Sequence, residues 1–232
     1  MELNVDIISD VICPWCYIGK RRFEKAVRSI AGQHTVKARW LPFQLNPMMP
    51  EEGMDRVAYR SKKFGSWERS QEMDAQVAAT GLAEGIRFGF GRMERTPNTF
   101  DAHRLIWLAG ERGVQDAVVE AIFRGYFTEG LNVNDRETLT EVVGGAGLDR
   151  EEVSRLLSGD EGADAIRREE KRARADAVQG VPLFVVNGLV PLSGAQDPAT
   201  FVAAFGAAAE RGRAPAPGEG EACGIEPGSR KC

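Results

Sequence analysis

Two cysteines separated by two residues are the feature of this sequence that most constrains its fold. Cys13 and Cys16 enclose Pro14 and Trp15. Residues 3–9 alternate loosely between apolar and polar side chains, which predicts a short strand, and apolar residues at roughly helical spacing follow the second cysteine. A pair of thiols at the junction of a strand and a helix is typical of redox-active proteins that contain a β-α-β unit.

The position of the pair also predicts how it reacts. Cys13 lies at the expected N-terminus of the helix, where unpaired backbone N–H groups stabilise a thiolate. Pro14 suits the first helical turn because its missing N–H would have no partner there. We therefore expect Cys13 to attack a disulfide and to be alkylated first, and we expect Cys16 to resolve the resulting mixed disulfide.

Two other uses of the cysteine pair remain open at this stage. It could form a structural disulfide, or it could supply half of a zinc site. The other zinc ligands would come from Cys223 and Cys232, or from His34 and His103. Because eight residues between Cys223 and Cys232 make a poor zinc-knuckle spacing, the sequence favours redox chemistry over metal binding.

Further strands are predicted on both sides of a long helical segment. Residues 36–43 are β-forming and complete a β-α-β unit whose two strands should be parallel. Residues 181–186 are strongly β-forming and end in Asn187-Gly188, a strong signal for a two-residue hairpin turn. An amphipathic helix should begin at Pro198. These elements predict one α/β sheet domain that is split in the sequence.

The helical segment separates the two halves of this sheet domain. We expect a helix at residues 67–80 that Gly81 closes, and irregular chain without chemistry at residues 85–91. The predicted domain organisation is a split sheet domain at 1–48 and 179–211, an inserted helical domain at 49–178, and a flexible tail at 212–232.

Charge and hydropathy exclude two classes of partner. The chain carries 30 Lys and Arg residues against 34 Asp and Glu residues, a formal net charge of −4. No basic surplus is therefore present to bind a nucleic acid backbone. No apolar run approaches the roughly 20 residues of a membrane-spanning helix. The first six residues carry acidic side chains where a secretory signal would be basic, so we expect a cytoplasmic protein.

Several segments resemble one known family. Residues 9–19, which contain the Cys-Pro-Trp-Cys sequence, resemble the active-site segment of the DsbA-like thioredoxin superfamily, in particular its FrnE-type branch. This branch is related to 2-hydroxychromene-2-carboxylate isomerases. Shorter resemblances lie at 40–47, 98–105, 180–184 and 193–196, so the likeness covers about residues 3–208.

The resemblance implies a fold, an activity and a set of site residues. It implies a thioredoxin fold with a helical domain inserted between the β-α-β unit and the C-terminal β-hairpin plus helix. It also implies a cis proline at Pro182 that faces the active-site sulfurs, which would turn the Val181 backbone toward a bound substrate. Asn98 and His103 match positions that line the family's cleft, and substrate should also contact residues 14 and 15.

The predicted function is thiol-disulfide exchange by Cys13 and Cys16 through a mixed disulfide. The predicted partners are protein or small-molecule thiols and disulfides and a thiol reductant system. The redox-active disulfide should carry out the exchange without a further cofactor, although glutathione is a possible exchange partner. The alternative is a glutathione-dependent isomerase of an aromatic or polyketide intermediate. The isomerases have a serine where this chain has Cys13, and they lack the paired thiols.

Two further cysteines lie in the glycine- and proline-rich tail. Because the residues between Cys223 and Cys232 can loop back at small entropic cost, these two sulfurs can pair with each other. We hypothesise that they form a second redox pair that relays disulfides to or from Cys13 and Cys16. Their simpler interpretation is a local disulfide or two idle thiols.

Overall fold

The computed structural model describes residues 1–213 and has a mixed α/β fold, as the sequence predicts. Cys223 and Cys232, and the relay hypothesis made for them, lie outside the described residues. The strands are β1 (Glu2–Ser9), β2 (Thr35–Pro42), β3 (Met54–Asp55), β4 (Arg95–Thr96), β5 (Leu183–Val186) and β6 (Val190–Ser193). The helices are α1 (Pro14–Ser29), α2 (Arg56–Phe64), α3 (Trp67–Ala83), α4 (Phe100–Glu111), α5 (Gln115–Arg124), α6 (Arg136–Gly144), α7 (Arg150–Ser158), α8 (Ala163–Ala175) and α9 (Pro198–Arg213).

The main sheet has four strands in the order β2-β1-β5-β6. Strands β1 and β2 are parallel and enclose α1, which confirms the predicted β-α-β unit. Strand β5 is antiparallel to β1, and β6 is antiparallel to β5. The turn between β5 and β6 is made by Asn187 and Gly188, both with positive φ (50° and 68°), as a two-residue hairpin turn requires. The predicted hairpin is therefore confirmed.

Helices cover both faces of this sheet. On one face, α1 and α9 pack through a cluster of fully or nearly fully buried rings, and Phe184 of β5 lies 4.7 Å from Phe201 of α9 between ring centroids. On the other face, Ala173 of α8 packs against Ile8 of β1 and Phe43. Leu3, Val5 and Ile7 of β1 are buried on one face, and the strand is buried on both faces only at its end, from Ile7 to Ser9. This buried end holds the residues that follow it, including Cys13, at one edge of the sheet.

Four helices, α2, α3, α6 and α7, begin where the sequence supplies capping side chains. Asp55, Ser66, Asp135 and Asp149 each accept a hydrogen bond from a backbone N–H in the first turn of the helix that follows. None of the helices within residues 1–213 is both long and apolar enough to cross a membrane. The division of the chain at residues 48 and 179 into a split sheet domain and an inserted domain stays a prediction.

The predicted end of α3 is wrong. The helix continues through Gly81 to Ala83. A side chain at position 81 would collide with the ring of Phe88, so the glycine is needed for close packing rather than for ending the helix. The predicted irregular segment 85–91 is a packed connection. Its Phe88 and Phe90 rings stack at 4.8 Å, and Phe88 meets Tyr17 of α1 edge to face at 6.2 Å.

Candidate active site

The two cysteines of the predicted active site lie in a turn that joins β1 to α1. Cys13 is the N-cap residue of α1, with an extended backbone (φ −94°, ψ 109°), and Pro14 is the first helical residue. The Cys13 N–H donates to the Asp10 carbonyl at 3.0 Å, and the Cys16 N–H donates to the Cys13 carbonyl at 3.0 Å. These bonds place Cys13 at the end of the helix where N–H groups lack intrahelical partners, as the sequence predicts.

The loop before β5 lies against Cys13. The Val181–Pro182 peptide bond is cis, which confirms that expectation. The Cys13 thiol lies 3.5 Å from the Val181 carbonyl oxygen, to which it can donate. A Cβ atom at Gly19 would lie 3.1 Å from Cγ of Pro182, so the glycine in α1 permits the loop to approach this closely. The structure therefore brings Cys13, Val181 and Pro182 together.

Cys16 lies beneath Cys13 and is inaccessible. Its exposed fraction is 0%, against 6% for Cys13, and both residues are free thiols in this structure. Burial is the main cause that raises the pKa of Cys16 well above its ordinary value, and the hydrogen bond and charge of Cys13 raise it further. Hydrogen bonds from Ser9 and from the backbone at Asp10 oppose this shift only in part. Cys16 therefore keeps its proton at neutral pH.

Selective alkylation should report this difference between the two cysteines. The test uses two variants, Cys16→Ser and Cys13→Ser, each with serine also at 223 and 232. At pH 7 we expect iodoacetamide to modify Cys13 in the first variant at least about tenfold faster than it modifies Cys16 in the second. The reason is that iodoacetamide alkylates only thiolates that it can reach. The rate for Cys16 should still be rising at pH 9, since its pKa is raised. Mass spectrometry of quenched samples measures both rates. Equal rates at pH 7 would contradict the assigned roles.

A cleft of about 230 Å³ opens beside Cys13. Pro14 and Trp15 line it, as expected for residues that contact substrate, and Trp15 is 41% exposed. Apolar and aromatic side chains contribute most of the surface, which suits a ligand that is largely desolvated on binding. The other lining residues are Ile12, Leu45, Arg56, Tyr59, Arg60, Lys63, Phe64, Met73, Asp74, Val77, Phe90, Thr96, Tyr126 and Phe127.

Two residues predicted to line the cleft do not lie among those lining it. Asn98 borders a separate polar cavity, where its amide nitrogen donates to the Met49 carbonyl at 2.8 Å. His103 is buried, with Nε2 3.3 Å from Oδ1 of Asp10. The structure therefore does not place them in the lining of this cleft, and their contact with substrate stays a prediction. His103 lies in α4 and contacts Asp10, whereas Asn98 precedes that helix and accepts a hydrogen bond from the Phe100 N–H at 2.9 Å.

Asp10 connects this turn to the rest of the protein. The residue is fully buried, and its second carboxylate oxygen accepts a hydrogen bond from the Leu45 N–H at 2.7 Å. Its first oxygen faces His103, and its carbonyl accepts the Cys13 N–H. One aspartate thus joins the cysteine turn to α4 and to the segment after β2. His103 and Asp10 act on the site by positioning the turn.

The residues of α2 that line the cleft are not among the site residues that the sequence predicts. Arg56, Arg60 and Lys63 line the cleft, as does Phe90 from the segment that we expected to be without chemistry. The spacing of Arg56, Arg60 and Lys63 by four and three positions does indicate that they share one face of a helix. Nothing local, however, shows that this face points toward the cysteines some forty residues earlier in the chain.

A charged network holds the next turns of α1 against α5. Lys20 is 1% exposed, and its ammonium nitrogen contacts Glu24 and lies 3.0 Å from Asp116 and 3.3 Å from Glu120. The Tyr17 hydroxyl donates to Glu120 at 2.9 Å. Burial, followed by the negative charge of Glu120, raises the pKa of Tyr17 to about 12. The network fixes the helix whose N-terminus carries Cys13.

Comparison with known proteins identifies relatives of this chain. The sequence model of the DSBA-like thioredoxin domain matches residues 4–206. A probable DsbA oxidoreductase from Streptomyces coelicolor is 37% identical, with a TM-score of 0.83 over 92% of this chain and 92% of that chain.

Two more distant solved structures show the same fold. A 2-hydroxychromene-2-carboxylate isomerase is 16% identical, with a TM-score of 0.68 over 90% of this chain and 97% of that one. The cytosolic disulfide reductase DsbM from Pseudomonas aeruginosa, solved with GSH, is 19% identical, with a TM-score of 0.62 over 89% of this chain and 99% of that one.

Proposed function

Because this chain belongs to the DSBA-like thioredoxin domain family of thiol-disulfide oxidoreductases, we propose that it catalyses thiol-disulfide exchange through Cys13 and Cys16. The observation that carries the proposal is the asymmetry of the two thiols. Cys13 borders the cleft at a helix N-terminus, whereas Cys16 is buried behind it and protonated at neutral pH. Such a pair suits a nucleophile and a resolving thiol.

The proposed reaction has two exchange steps. The Cys13 thiolate attacks one sulfur of a substrate disulfide, the substrate S–S bond breaks, and the other substrate sulfur leaves with the electron pair. Cys16 then loses its proton and attacks the Cys13 sulfur, which forms the Cys13–Cys16 disulfide and releases the second substrate thiol. The substrate gains two electrons and the protein loses two. An external thiol reductant restores the thiols, and the reverse sequence oxidises a dithiol.

The neighbourhood of Cys13 supports productive docking of a disulfide. In our proposal Pro14 and Trp15 contact the substrate from the helix side, and the Val181 backbone and Pro182 contact it from the loop side. Protein and small-molecule thiols are the proposed partners, and GSH is a candidate because the DsbM structure was solved with it. No cofactor is needed for this cycle. By likeness to the cytosolic DsbM, we propose the cytoplasm as its location.

The Cys16→Ser variant tests this proposal. With serine also at 223 and 232, we expect the variant to accumulate a mixed disulfide at Cys13 and to lose roughly a hundredfold in turnover of 2-hydroxyethyl disulfide. The protein then has no second thiol that attacks the mixed disulfide, and only the slower intermolecular attack by the external reductant releases the product. Mass spectrometry detects the adduct. The matched control carries only the substitutions at 223 and 232. Full turnover in the Cys16→Ser variant would contradict the two-thiol cycle, and glutathione-dependent isomerisation retained by it would favour the alternative function.

A further inference from the structure

The wall of the cleft opposite the cysteines is cationic. Arg56, Arg60 and Lys63 lie at spacings of four and three residues in α2, so they project from the same face of that helix. All three line the cleft that Cys13 also lines. The reactive sulfur and the cationic side chains therefore border the same space.

The negative charge in this wall does not balance the positive charge. Among the described residues that line the cleft, Asp74 is the only carboxylate. Its Oδ2 accepts from Arg56 at 2.6 Å, and its Oδ1 accepts from Arg60 at 2.6 Å. Three cations with one carboxylate leave a formal surplus of two positive charges. An anion that entered the cleft would therefore be attracted toward α2.

Two buried polar groups in the wall have hydrogen-bonding capacity to spare. Arg56 is 3% exposed, and its Nε has no partner within the described part of the chain. The hydroxyl of Thr96, 4% exposed, likewise has none there. A buried donor without a partner is costly, and more so when it is charged. Both residues line the cleft, so an entering anion could satisfy them.

The titration of Arg60 agrees with this geometry. Burial, followed by repulsion from Arg56, lowers the pKa of Arg60. Two guanidinium groups thus share one carboxylate in a partly desolvated place. A second carboxylate would relieve the repulsion, and the planar fork of a guanidinium fits a carboxylate better than it fits a neutral group.

We propose that Arg56, Arg60 and Lys63 bind a carboxylate of the substrate, so that small disulfides carrying carboxylates near their sulfurs are preferred substrates of Cys13. This inference rests on the proposed thiol-disulfide exchange and names its substrate class. The exchange itself is unchanged: the Cys13 thiolate attacks, the substrate S–S bond breaks, and one thiolate leaves with the electron pair while the carboxylate stays bound. Like-charge repulsion would otherwise slow the attack of a thiolate on an anionic disulfide, and the cations offset it.

The preferred substrate should be small because the cationic side chains lie deep in the cleft. Arg56 is almost fully buried, so a carboxylate must enter the cleft to reach it. A small disulfide can place one carboxylate there while its sulfur meets Cys13. An acidic residue in a protein substrate is the other possible source of such a carboxylate, and the experiment below separates the two.

A series of disulfides that differ in charge tests the inference. The probes are 3,3′-dithiodipropionate, 2-hydroxyethyl disulfide and cystamine, which have similar length and carry charges of −2, 0 and +2. We measure the rate of Cys13 oxidation in the reduced full chain, with serine at 223 and 232, and divide each rate by that of the same probe with free 2-mercaptoethanol. We expect the normalised rate to be about tenfold higher for the anionic probe than for the neutral one, and lowest for the cationic probe.

Two substitutions connect this preference to α2. In Arg60→Gln and Lys63→Gln, the ratio of anionic to neutral rates should fall at least about threefold, and added salt should lower the wild-type ratio. Lys63 is exposed, so its replacement keeps the test informative if Arg60→Gln does not fold. The matched control is Arg124→Gln, which removes the same charge from an exposed arginine that pairs with Glu129.

The outcomes separate this inference from the proposed function. Equal normalised rates for the three probes would overturn the carboxylate site while the exchange activity stands. A ratio that Arg60→Gln, Lys63→Gln and Arg124→Gln lower equally would show a general charge effect and would also overturn it. A preference confined to a peptide disulfide flanked by glutamates would overturn the assignment to small substrates. No reaction with any probe would instead count against the proposed thiol-disulfide exchange.

Discussion

Replacing Cys13 with serine is expected to reduce the rate of thiol-disulfide exchange at least about a thousandfold, because a serine hydroxyl is not ionised near neutral pH and cannot serve as the attacking thiolate. Cys16 cannot take over the role. It is fully buried, and its raised pKa keeps it protonated. The assay is reduction of 2-hydroxyethyl disulfide with an excess of thiol reductant, in chains with serine at 223 and 232.

The same substitution in the otherwise natural chain is the informative companion to this experiment. Cys223 and Cys232 are then present. The difference between its exchange rate and that of the Cys13→Ser chain with serine at 223 and 232 measures the exchange that the two tail thiols catalyse without Cys13. Circular dichroism should show an unchanged fold, since serine at position 13 differs from cysteine by one atom. Activity close to wild type in the chain with serine at 223 and 232 would remove Cys13 from the mechanism.

Replacing Lys20 with methionine should lower the free energy of unfolding by about 2–4 kcal/mol, because the remaining carboxylates lose their buried cation. Burial alone would lower the pKa of Lys20, but Asp116 and Glu24 outweigh burial, so its pKa is raised and its charge belongs to the folded state. We expect a loss of unfolding free energy in the lower part of this range, because the Asp116 side chain is 61% exposed and solvent weakens its interaction with Lys20. Urea denaturation at pH 7 measures the difference.

An exposed lysine provides the control for this prediction. Lys37 pairs with Glu2 at 2.8 Å across the parallel strands β1 and β2, and its side chain is 64% exposed. The Lys37→Met variant should lose less than about 1 kcal/mol. Burial alone would raise the pKa of Glu120, but the hydrogen bond from Arg21 and the charge of Lys20 hold this pKa below its ordinary value. The deficit of Lys20→Met should therefore shrink as the pH falls through the lowered pKa of Glu120. Equal losses in the two variants would show that the buried network contributes nothing beyond an ordinary surface pair.

Local signals were sufficient to predict the framework of the fold. The β-α-β unit rests on hydrophobic periodicity and on the proline in the first turn of α1, and the hairpin rests on an Asn-Gly turn whose backbone angles few other residues adopt. The end of α3 could not be predicted in this way. Gly81 is a good local signal for the end of a helix, but its actual role is to make room for Phe88, which is a tertiary contact.

The same distinction separates the predicted and the missed parts of the site. Cys13 and Cys16 are separated by only two residues, so their spacing alone indicated their chemistry. The cations of α2 come from a helix about forty residues later, and which of its faces meets the cysteines depends on how the helical segment packs. The positions of Asn98 and His103 outside the lining of this cleft depend on the same packing.

The burial of Cys16 has a consequence for the fate of each substrate. In the proposed cycle, the burial that raises the pKa of Cys16 would lengthen the life of the mixed disulfide between Cys13 and its substrate. During that interval another thiol of a multi-cysteine substrate can attack instead, and the substrate then departs with its sulfurs connected differently and its electron count unchanged. In that cycle, the depth of one side chain would shift the proportion of encounters that end in rearrangement rather than in net electron transfer.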